Sequence, residues 1–240
     1  MPRRRTPAGR ERKGVARRRL VACDLSSERR RVLRLFSVED EARADGFFIV
    51  AGVDEVGRGC LAGPVCAGAV ALDSNDPIPG LDDSKALCRE VREDLAGRIR
   101  RRARGAAVGA ASSSEIDALG IVPATLLAMR RALEGLRAGG AAPDLVLFDA
   151  VTLPGLDVPQ RSFVRGDSRV ACIAAASIVA KEARDRLMER LDRDWPFYGF
   201  AEHRGYGTSA HLGALRRHGP SPEHRLTFEG VLPGRGRKAA

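Results

Sequence analysis

The chain has 240 residues, of which 44% are hydrophobic and 30% charged, and it carries a formal net charge of +10. This composition suits one domain of about 200 residues with a sizeable core. No apolar run approaches the roughly 20 residues that a membrane-spanning helix needs, which excludes an integral membrane protein. The five cysteines are odd in number and form no CxxC pair, which argues against a disulfide framework, and the four histidines have no cysteine partner for a zinc site.

The positive charge is concentrated at the start of the chain. Residues 1–19 contain nine basic residues and one acidic residue, so they hold +8 of the net +10. Such an arm binds phosphate backbones without sequence preference, and the alternative is a solvated tail. We predict a basic, disordered arm over 1–25, one main domain over 26–228 and a basic flexible tail over 229–240. We expect a cytoplasmic protein, although an arginine-rich start also resembles a transit peptide.

The first half of the domain predicts a helix, two strands, a second helix and a third strand. Residues 27–44 have helical spacing behind Ser26 or Ser27 as an N-cap. The β-rich runs 47–56 and 65–72 predict strands. The loop between them is too short for a parallel crossover, so we expect the pair to be antiparallel. Ser84 predicts the N-cap of a helix over 85–102, and residues 105–112 predict a further strand.

The second half is richer in helical patterns. Residues 121–138 predict an amphipathic helix, 145–150 a buried strand that ends in an acid, and 157–165 another strand. Residues 168–194 form the longest helical pattern, and a loop followed by a helix is expected within 203–219. Interleaved strands and helices indicate a layered α/β domain whose first two strands form a hairpin.

Two adjacent acids, Asp54 and Glu55, stand at the end of the first strand, before the loop GRGCLAG. The loop leads into another strand rather than a helix, which argues against a dinucleotide-binding loop. Two carboxylates would also repel a phosphate unless a cation lay between them. Clustered carboxylates are the ligands that Mg²⁺ and Mn²⁺ prefer, so we predict a divalent cation site.

Asp149 and Asp167 are the candidates for the remaining ligands. Asp149 ends a buried strand, whereas Asp167 is equally explained as the N-cap of the long helix. Two cations about 4 Å apart, held by three or four carboxylates, catalyse phosphodiester displacement. One geometric condition applies to Asp54 and Glu55: neighbouring strand residues face opposite sides, so both reach one metal region only if the strand ends or bends there.

The segments AGVDEVGRG, LDDSKAL, LFDA, VRGDS, AAASIVAKEARD and HRGYGT together resemble ribonuclease HII, over about residues 47–228. The resemblance implies a ribonuclease H-like three-layer α/β fold with a mixed central sheet and a small helical C-terminal part. It implies an endonuclease that uses Mg²⁺ or Mn²⁺, two per site during catalysis. Its partner is nucleic acid: the enzyme cuts the RNA strand of RNA–DNA hybrids, and cuts 5′ of ribonucleotides embedded in duplex DNA, leaving 3′-hydroxyl and 5′-phosphate ends. We expect a monomer.

The resemblance also implies roles for individual residues. Metal binding and catalysis fall to the four acids Asp54, Glu55, Asp149 and Asp167. The loop residues Gly57, Arg58 and Gly59 would hold the nucleic acid around the scissile phosphate and sense the ribose 2′-hydroxyl, and Tyr206 would stack at the RNA–DNA junction. The DSK segment, Asp83, Ser84 and Lys85, and the long-helix residues Ser177 and Lys181 would orient phosphates or the metal centre.

Three positions depart from the family pattern: Cys60 replaces a usual proline, Ala150 a usual glycine, and Gly207 a frequent proline. None of the departures removes a predicted ligand. Two other functions remain open. One is a non-catalytic nucleic-acid-binding module that uses the arm and the arginines within 98–104. The other is a metal-dependent phosphatase acting on small molecules.

Overall fold

The start of the described chain is helical. The structure is a computed structural model that describes residues 27–232 except 29, 83 and 86, so the whole predicted arm, the end of the predicted tail and Asp83 lie outside it. Residues 30–35 are helical, and helix α1 (Ser37–Ala44) follows after a turn at Phe36. The prediction of a single helix over 27–44 is therefore wrong at Phe36, where a turn interrupts the helix. Phe36 is fully buried and its N–H donates to Leu33 O at 3.2 Å, in the tight geometry of a turn.

Five strands form one mixed sheet in the order β3-β2-β1-β4-β5. The strands are β1 (Val50–Val56), β2 (Val65–Ala71), β3 (Gly105–Ala111), β4 (Leu145–Asp149) and β5 (Gln160–Phe163). β1 pairs antiparallel with β2, as does β2 with β3, whereas β1 with β4 and β4 with β5 are parallel pairs. All five predicted strands are present, and the predicted antiparallel hairpin is confirmed.

Helices cover both faces of this sheet. They are α2 (Arg89–Arg102), α3 (Ser113–Leu119), α4 (Ile121–Ala138), α5 (Ala171–Asp194), α6 (Phe200–His203) and α7 (Ser209–His218). α5 packs against β1 and β2 on one face together with α2, and α4 packs against β2 and β3 on the other. This arrangement confirms the predicted three-layer α/β fold. Within the described ranges, no helix is both long and apolar enough to cross a membrane.

Alternate strand residues serve the two helical layers, because successive side chains of a strand point to opposite faces. Val50 and Leu147 belong to the core cluster that contains Ile173 of α5. Val53 and Phe148 belong instead to the cluster that α4 covers. A third core lies at the C-terminal side, where the predicted helical part packs against the end of α5.

Two helices begin later than the sequence predicts. α2 starts at Arg89 after Cys88, and not at residue 85, because the Ser84 hydroxyl hydrogen-bonds the Ser177 hydroxyl at 2.9 Å instead of capping a helix. α5 starts at Ala171, and its N-cap position is Val170.

Asp167 is therefore not the N-cap of the long helix. It lies in a short 3₁₀ turn, Gly166–Ser168, that precedes α5.

The prediction also left out α3 and α6. The sequence carried a signal for α3, a capping box in which the Ser112 hydroxyl accepts from the Glu115 N–H and the Glu115 carboxylate accepts from the Ser112 N–H. α6 is a single turn of four residues with no such signal.

Candidate active site

One cleft of about 300 Å³ gathers most of the predicted site residues at the end of β1. Eleven of the twelve line it: Asp54, Glu55, Gly57, Arg58, Gly59, Ser84, Lys85, Asp149, Ser177, Lys181 and Tyr206. Val56, which no pattern singled out, lines it as well. Asp167 does not line the cleft, but it is joined to it through Lys85, whose ammonium lies 3.1 Å from the Asp167 carboxylate.

The parallel pairing of β1 and β4 brings Asp54 and Asp149 to the same level. The register aligns Val53 with Phe148, so the two acids are the next positions on their strands. Both follow the alternation of the residues that face α5, the helix that carries Ser177. Asp54 and Asp149, together with Glu55, form what we call the acidic wall of the cleft.

Asp54 has the most perturbed electrostatics in this wall. Its side chain is 6% exposed, and burial raises its pKa to about 7, with the Glu55 and Asp149 carboxylates adding to the rise. A hydrogen bond with Ser177 acts in the opposite direction, as does one from the Glu55 N–H at 2.8 Å. Asp54 is thus a buried carboxylate among other carboxylates, an arrangement that is common at functional sites.

Glu55 lines the same cleft as its neighbour Asp54. β1 continues through both residues to Val56, and Gly57 then turns the chain with φ +91°. The Glu55 carboxylate lies 3.2 Å from the guanidinium of Arg58. The strand therefore does not end between the two acids, and that both side chains face one metal region stays a prediction.

The other two acids are held by main-chain and side-chain donors. Asp149 accepts a hydrogen bond from the Gly166 N–H at 2.8 Å, which ties β4 to the 3₁₀ turn that carries Asp167. Ala150, directly after Asp149, has φ +54°, the left-handed conformation that glycine favours. The departure from glycine at this position therefore places a strained residue beside a predicted ligand.

The acidic wall offers carboxylate oxygen atoms, which are the ligands that hard divalent cations such as Mg²⁺ prefer. Among the described residues, no group of three His, Cys, Asp or Glu side chains is arranged as a ready-made metal site. The donor set itself fits a divalent cation, because a positive charge would compensate the buried Asp54 carboxylate, whose pKa is raised first by burial and further by Glu55 and Asp149. Asp54, Glu55 and Asp149 are the residues that line the cleft and could hold it.

A second part of the lining, which we call the loop wall, consists of residues 57–59 and Tyr206. Gly57 has no room for a side chain, since a Cβ there would lie 2.2 Å from Nε of the buried Arg184. Tyr206 is 45% exposed, and its carbonyl oxygen lies 2.9 Å from Nδ1 of His211. Gly57 and Gly59 have no side chains, so what they contribute to the lining is main chain.

Lys181 and Lys85 bring positive charge to the cleft from α5 and from the DSK segment. Lys181 lies 2.5 Å from the Asp185 carboxylate, which also binds Arg92 at 3.1 Å. Asp185 therefore fixes the lysine that lines the cleft. Lys181 is about one turn beyond Ser177 on the same helix face, as the four-residue spacing predicts.

Sequence reasoning missed the groups that support the loop wall. Arg184 and Arg225 are fully buried beneath it, and His211 holds the Tyr206 carbonyl. Arg184 had a usable signal, since it is seven residues after Ser177 and so lies on the same face of α5. Arg225 and His211 had none, because their partners are set only by the folded chain.

Comparison with known proteins identifies the family. The ribonuclease HII family model matches residues 51–231. A ribonuclease HII from Delftia acidovorans is 56% identical over 183 residues, which cover 76% of this chain and 77% of the relative. One from Chloroflexus aggregans is 52% identical over 204 residues, which cover 82% and 93% of the two chains.

Solved structures agree. The ribonuclease H2 of Pyrococcus horikoshii is 25% identical with a TM-score of 0.64, covering 77% of this chain and 95% of its own. The ribonuclease HII from the PCNA complex of Archaeoglobus fulgidus is 26% identical with a TM-score of 0.63, covering 76% and 96%. The chain therefore belongs to the ribonuclease HII family and is an endoribonuclease of the ribonuclease H type, which hydrolyses RNA paired with DNA.

Proposed function

We propose that this protein cuts both the RNA strand of RNA–DNA hybrids and the 5′ side of single ribonucleotides embedded in duplex DNA. The products would carry 3′-hydroxyl and 5′-phosphate ends. The observation that carries this proposal is one cleft lined by both the acidic wall and the loop wall, with Asp54 and Asp149 at the same level of two parallel strands. Such a cleft offers carboxylates for phosphodiester chemistry beside a glycine-containing loop that can read the sugar.

We propose Mg²⁺ or Mn²⁺ as the cofactor, two ions per site during catalysis, held by Asp54, Glu55, Asp149 and Asp167. The first three line the cleft, and Asp167 is tied to it through Lys85. Two such cations would supply activation of a water molecule and stabilisation of the leaving oxygen.

The chain's own residues bind and orient the substrate. Arg58, Lys85 and Lys181 line the cleft and can bind phosphate groups. The main chain of residues 57–59 would contact the ribose 2′-hydroxyl, the group that separates RNA from DNA. The ring of Tyr206 offers a stacking surface for the neighbouring base or sugar.

The arginines within 98–104 give little support to a purely nucleic-acid-binding module. Four of the five are ion-paired with acids of this chain: Arg98 with Asp94, Arg100 with Glu182, Arg102 with Asp76 and Arg104 with Asp73. Their charge is largely compensated within the fold. We propose that the arm over 1–25 supplies additional, sequence-independent phosphate contacts.

The test is a cleavage assay on a DNA duplex with one embedded ribonucleotide and on an all-DNA duplex of the same sequence. Each is incubated with Mg²⁺, with Mn²⁺ or with a chelator. We expect a single cut 5′ of the ribonucleotide with either metal, with a 3′-hydroxyl end and no cut in the all-DNA duplex. Glu134→Gln, an exposed substitution on α4 and away from the cleft, serves as the control and should cut at the normal rate.

Two outcomes contradict the proposal. Binding of the ribonucleotide duplex without cleavage under any metal condition would indicate a binding module. Hydrolysis of a nucleotide monoester, with no cleavage of a hybrid, would indicate a phosphatase.

A further inference from the structure

Two arginine side chains, Arg184 and Arg225, are fully buried beneath the loop wall. Within the described residues, the hydrogen bonds of both guanidinium groups go to main-chain carbonyl oxygens. Buried charges are ordinarily paired with opposite charges, because their desolvation is costly. Two buried cations that bind only carbonyl groups therefore call for an explanation beyond packing.

Arg225 binds the segment that the proposed function assigns to substrate recognition. Its Nη2 donates to the Gly57 carbonyl at 2.7 Å and its Nη1 donates to the Arg58 carbonyl at 2.8 Å. Its Nε and Nη2 also donate to the Gly63 carbonyl, at 3.0 and 2.9 Å. One guanidinium group thus holds two consecutive carbonyls of the loop and a third at the loop's far end.

These contacts fix the direction in which the loop's N–H groups point. In a trans peptide unit the C=O and the N–H point in opposite directions, and none of the described peptide bonds is cis. The carbonyls of residues 57 and 58 point inward to Arg225, so the N–H groups of Arg58 and Gly59 point away from it. Residues 57–59 line the cleft, which is therefore where these two donors are directed.

Arg225 is itself held in place. Its N–H donates to the Leu61 carbonyl at 2.9 Å, and the Phe228 ring lies 5.1 Å from its guanidinium carbon. The N–H groups of Leu226 and Thr227 donate to the Asp117 carboxylate at 2.8 and 2.9 Å. The guanidinium is thus anchored to α3 and to the C-terminal core, and its position does not depend on the loop alone.

We propose that Arg225 is a positioning residue for ribonucleotide recognition: it holds the Gly57 and Arg58 carbonyls inward so that the N–H groups of Arg58 and Gly59 face the substrate. This inference rests on the proposed function and deepens it. Without Arg225 the peptide units of this glycine-flanked loop can turn over and present carbonyl oxygens, which repel phosphate and cannot donate to the 2′-hydroxyl. The planar fork of arginine matches this set of carbonyls, whereas the single ammonium of lysine cannot reproduce it.

The test compares binding of two duplexes that differ only in one 2′-hydroxyl. The Asp54→Asn variant, which should not cleave, is the background, and affinities are measured by fluorescence anisotropy with Arg225 intact and as Arg225→Lys. We expect the intact protein to prefer the ribonucleotide duplex. Arg225→Lys should lose about tenfold of that preference, the equivalent of one charge-assisted hydrogen bond, although it keeps a positive charge.

Leu133→Ala is the control for loss of stability alone, since Leu133 is a buried residue of α4, which packs on the sheet face that α5 does not cover. It should lower the melting temperature and leave the preference unchanged. Phe228→Leu is a milder variant that keeps the arginine but removes the ring beside it, and it should reduce the preference two- to threefold. This variant keeps the inference testable if Arg225→Lys does not fold.

Three results would overturn the inference: no preference with Arg225 intact, an unchanged preference in folded Arg225→Lys or in Phe228→Leu, or an equal loss in Leu133→Ala. Cleavage of the ribonucleotide duplex by the protein with Asp54 and Arg225 intact is measured in parallel. Absence of cleavage counts against the proposed function alone, whereas the binding ratio counts for or against Arg225 alone.

Discussion

The acidic wall and the loop wall line the same cleft, but their polar groups are satisfied to different degrees. In the acidic wall, Asp54 is buried beside Glu55 and Asp149, and its pKa rises to about 7. In the loop wall, the carbonyls of residues 57 and 58 are bound by the guanidinium of Arg225. The groups proposed to react are thus kept in an unfavourable environment, while the groups proposed to read the substrate are held rigidly. The arrangement proposed for function therefore lowers stability in the acidic wall, whereas in the loop wall it raises stability.

Among the substitutions that distinguish the two walls, we expect the largest effect on the cleavage rate of Asp54→Asn. Asp54→Asn removes a proposed cation ligand and one negative charge from the acidic wall, so we expect the cleavage rate to fall about 1000-fold or more, as removal of a major catalytic group typically does. The loop wall is untouched, so affinity for a hybrid should stay within about threefold. Single-turnover kinetics and anisotropy measure the two quantities. Full activity in Asp54→Asn would show that this acid is structural.

The same substitution should stabilise the fold, which sharpens the contrast between the walls. The Asp54 pKa is about 7 in the folded chain, against 3.8 for an unperturbed aspartate, so the folded state holds a proton that the unfolded chain has released between these pH values. Stability is therefore lost as pH rises from about 4 through 7. At pH 8 with chelator, Asp54→Asn avoids the buried charge and should gain about 4 kcal/mol in the free energy of unfolding.

Urea titrations of both proteins at pH 8 and pH 4 measure this difference. At pH 4 the carboxyl is protonated in the folded chain, so the gain should shrink towards zero. A stability gain of equal size at both pH values would mean that packing, and not charge, is responsible.

The histidine hydrogen bonds that support Tyr206 in the loop wall should weaken at acidic pH. His211 Nδ1 donates to the Tyr206 carbonyl, which leaves its Nε2 to accept from His224 Nε2 at 3.0 Å, and His224 Nδ1 accepts from the Ser221 N–H. Both rings are therefore neutral. Burial lowers the pKa of His224 to about 4, and its neighbour His211 contributes. As pH falls from 6.5 towards 4, the unfolded chain binds a proton that the folded chain does not, so stability is lost.

Between pH 7 and pH 5 this histidine should remove about 2 kcal/mol from the free energy of unfolding. His224→Gln can keep a donor towards His211 and an acceptor towards Ser221 without titrating. The fall in stability should therefore be about 2 kcal/mol smaller in that variant. An equal fall in both proteins would show that other groups are responsible.

The smallest effect concerns the strained residue beside Asp149. Ala150 has φ +54°, a conformation that costs residues with a Cβ about 1 kcal/mol relative to glycine. Ala150→Gly should therefore raise the free energy of unfolding by about 0.5 to 1 kcal/mol. Ala118→Gly, at an exposed position of α3, is the control of opposite sign, because glycine weakens a helix. Thermal melts compare them, and a loss of stability in Ala150→Gly would contradict the strain.

The sequence predicts what local pattern determines. Hydrophobic periodicity and turn residues identify all five strands, and the helix predicted over 121–138 has the observed bounds of α4. The acids at strand ends are likewise visible, because a buried run followed by a carboxylate has few structural uses. Ser84 shows where this fails: a serine can cap a helix or bond a distant hydroxyl, and only the folded chain selects Ser177 as its partner.

The support of the loop wall could not be predicted for the same reason. Arg225 and Gly57 are 168 positions apart, and their contact runs through a main-chain carbonyl that carries no residue identity. A sequence pattern therefore reveals the side chains that line the cleft. It does not reveal those that orient the backbone from behind.

Two glycines determine how closely α5 packs on the central sheet. Gly68 pairs with Asp54 across β1 and β2, and a Cβ there would lie 2.3 Å from the Ala176 carbonyl oxygen of α5. Gly52 meets the backbone of Cys172 in the same way. A missing methyl group on each strand lets the helix axis approach the sheet closely enough for Ser177 to hydrogen-bond Asp54. The spacing between these two layers therefore helps to set the geometry of the proposed catalytic centre, although neither glycine lines the cleft.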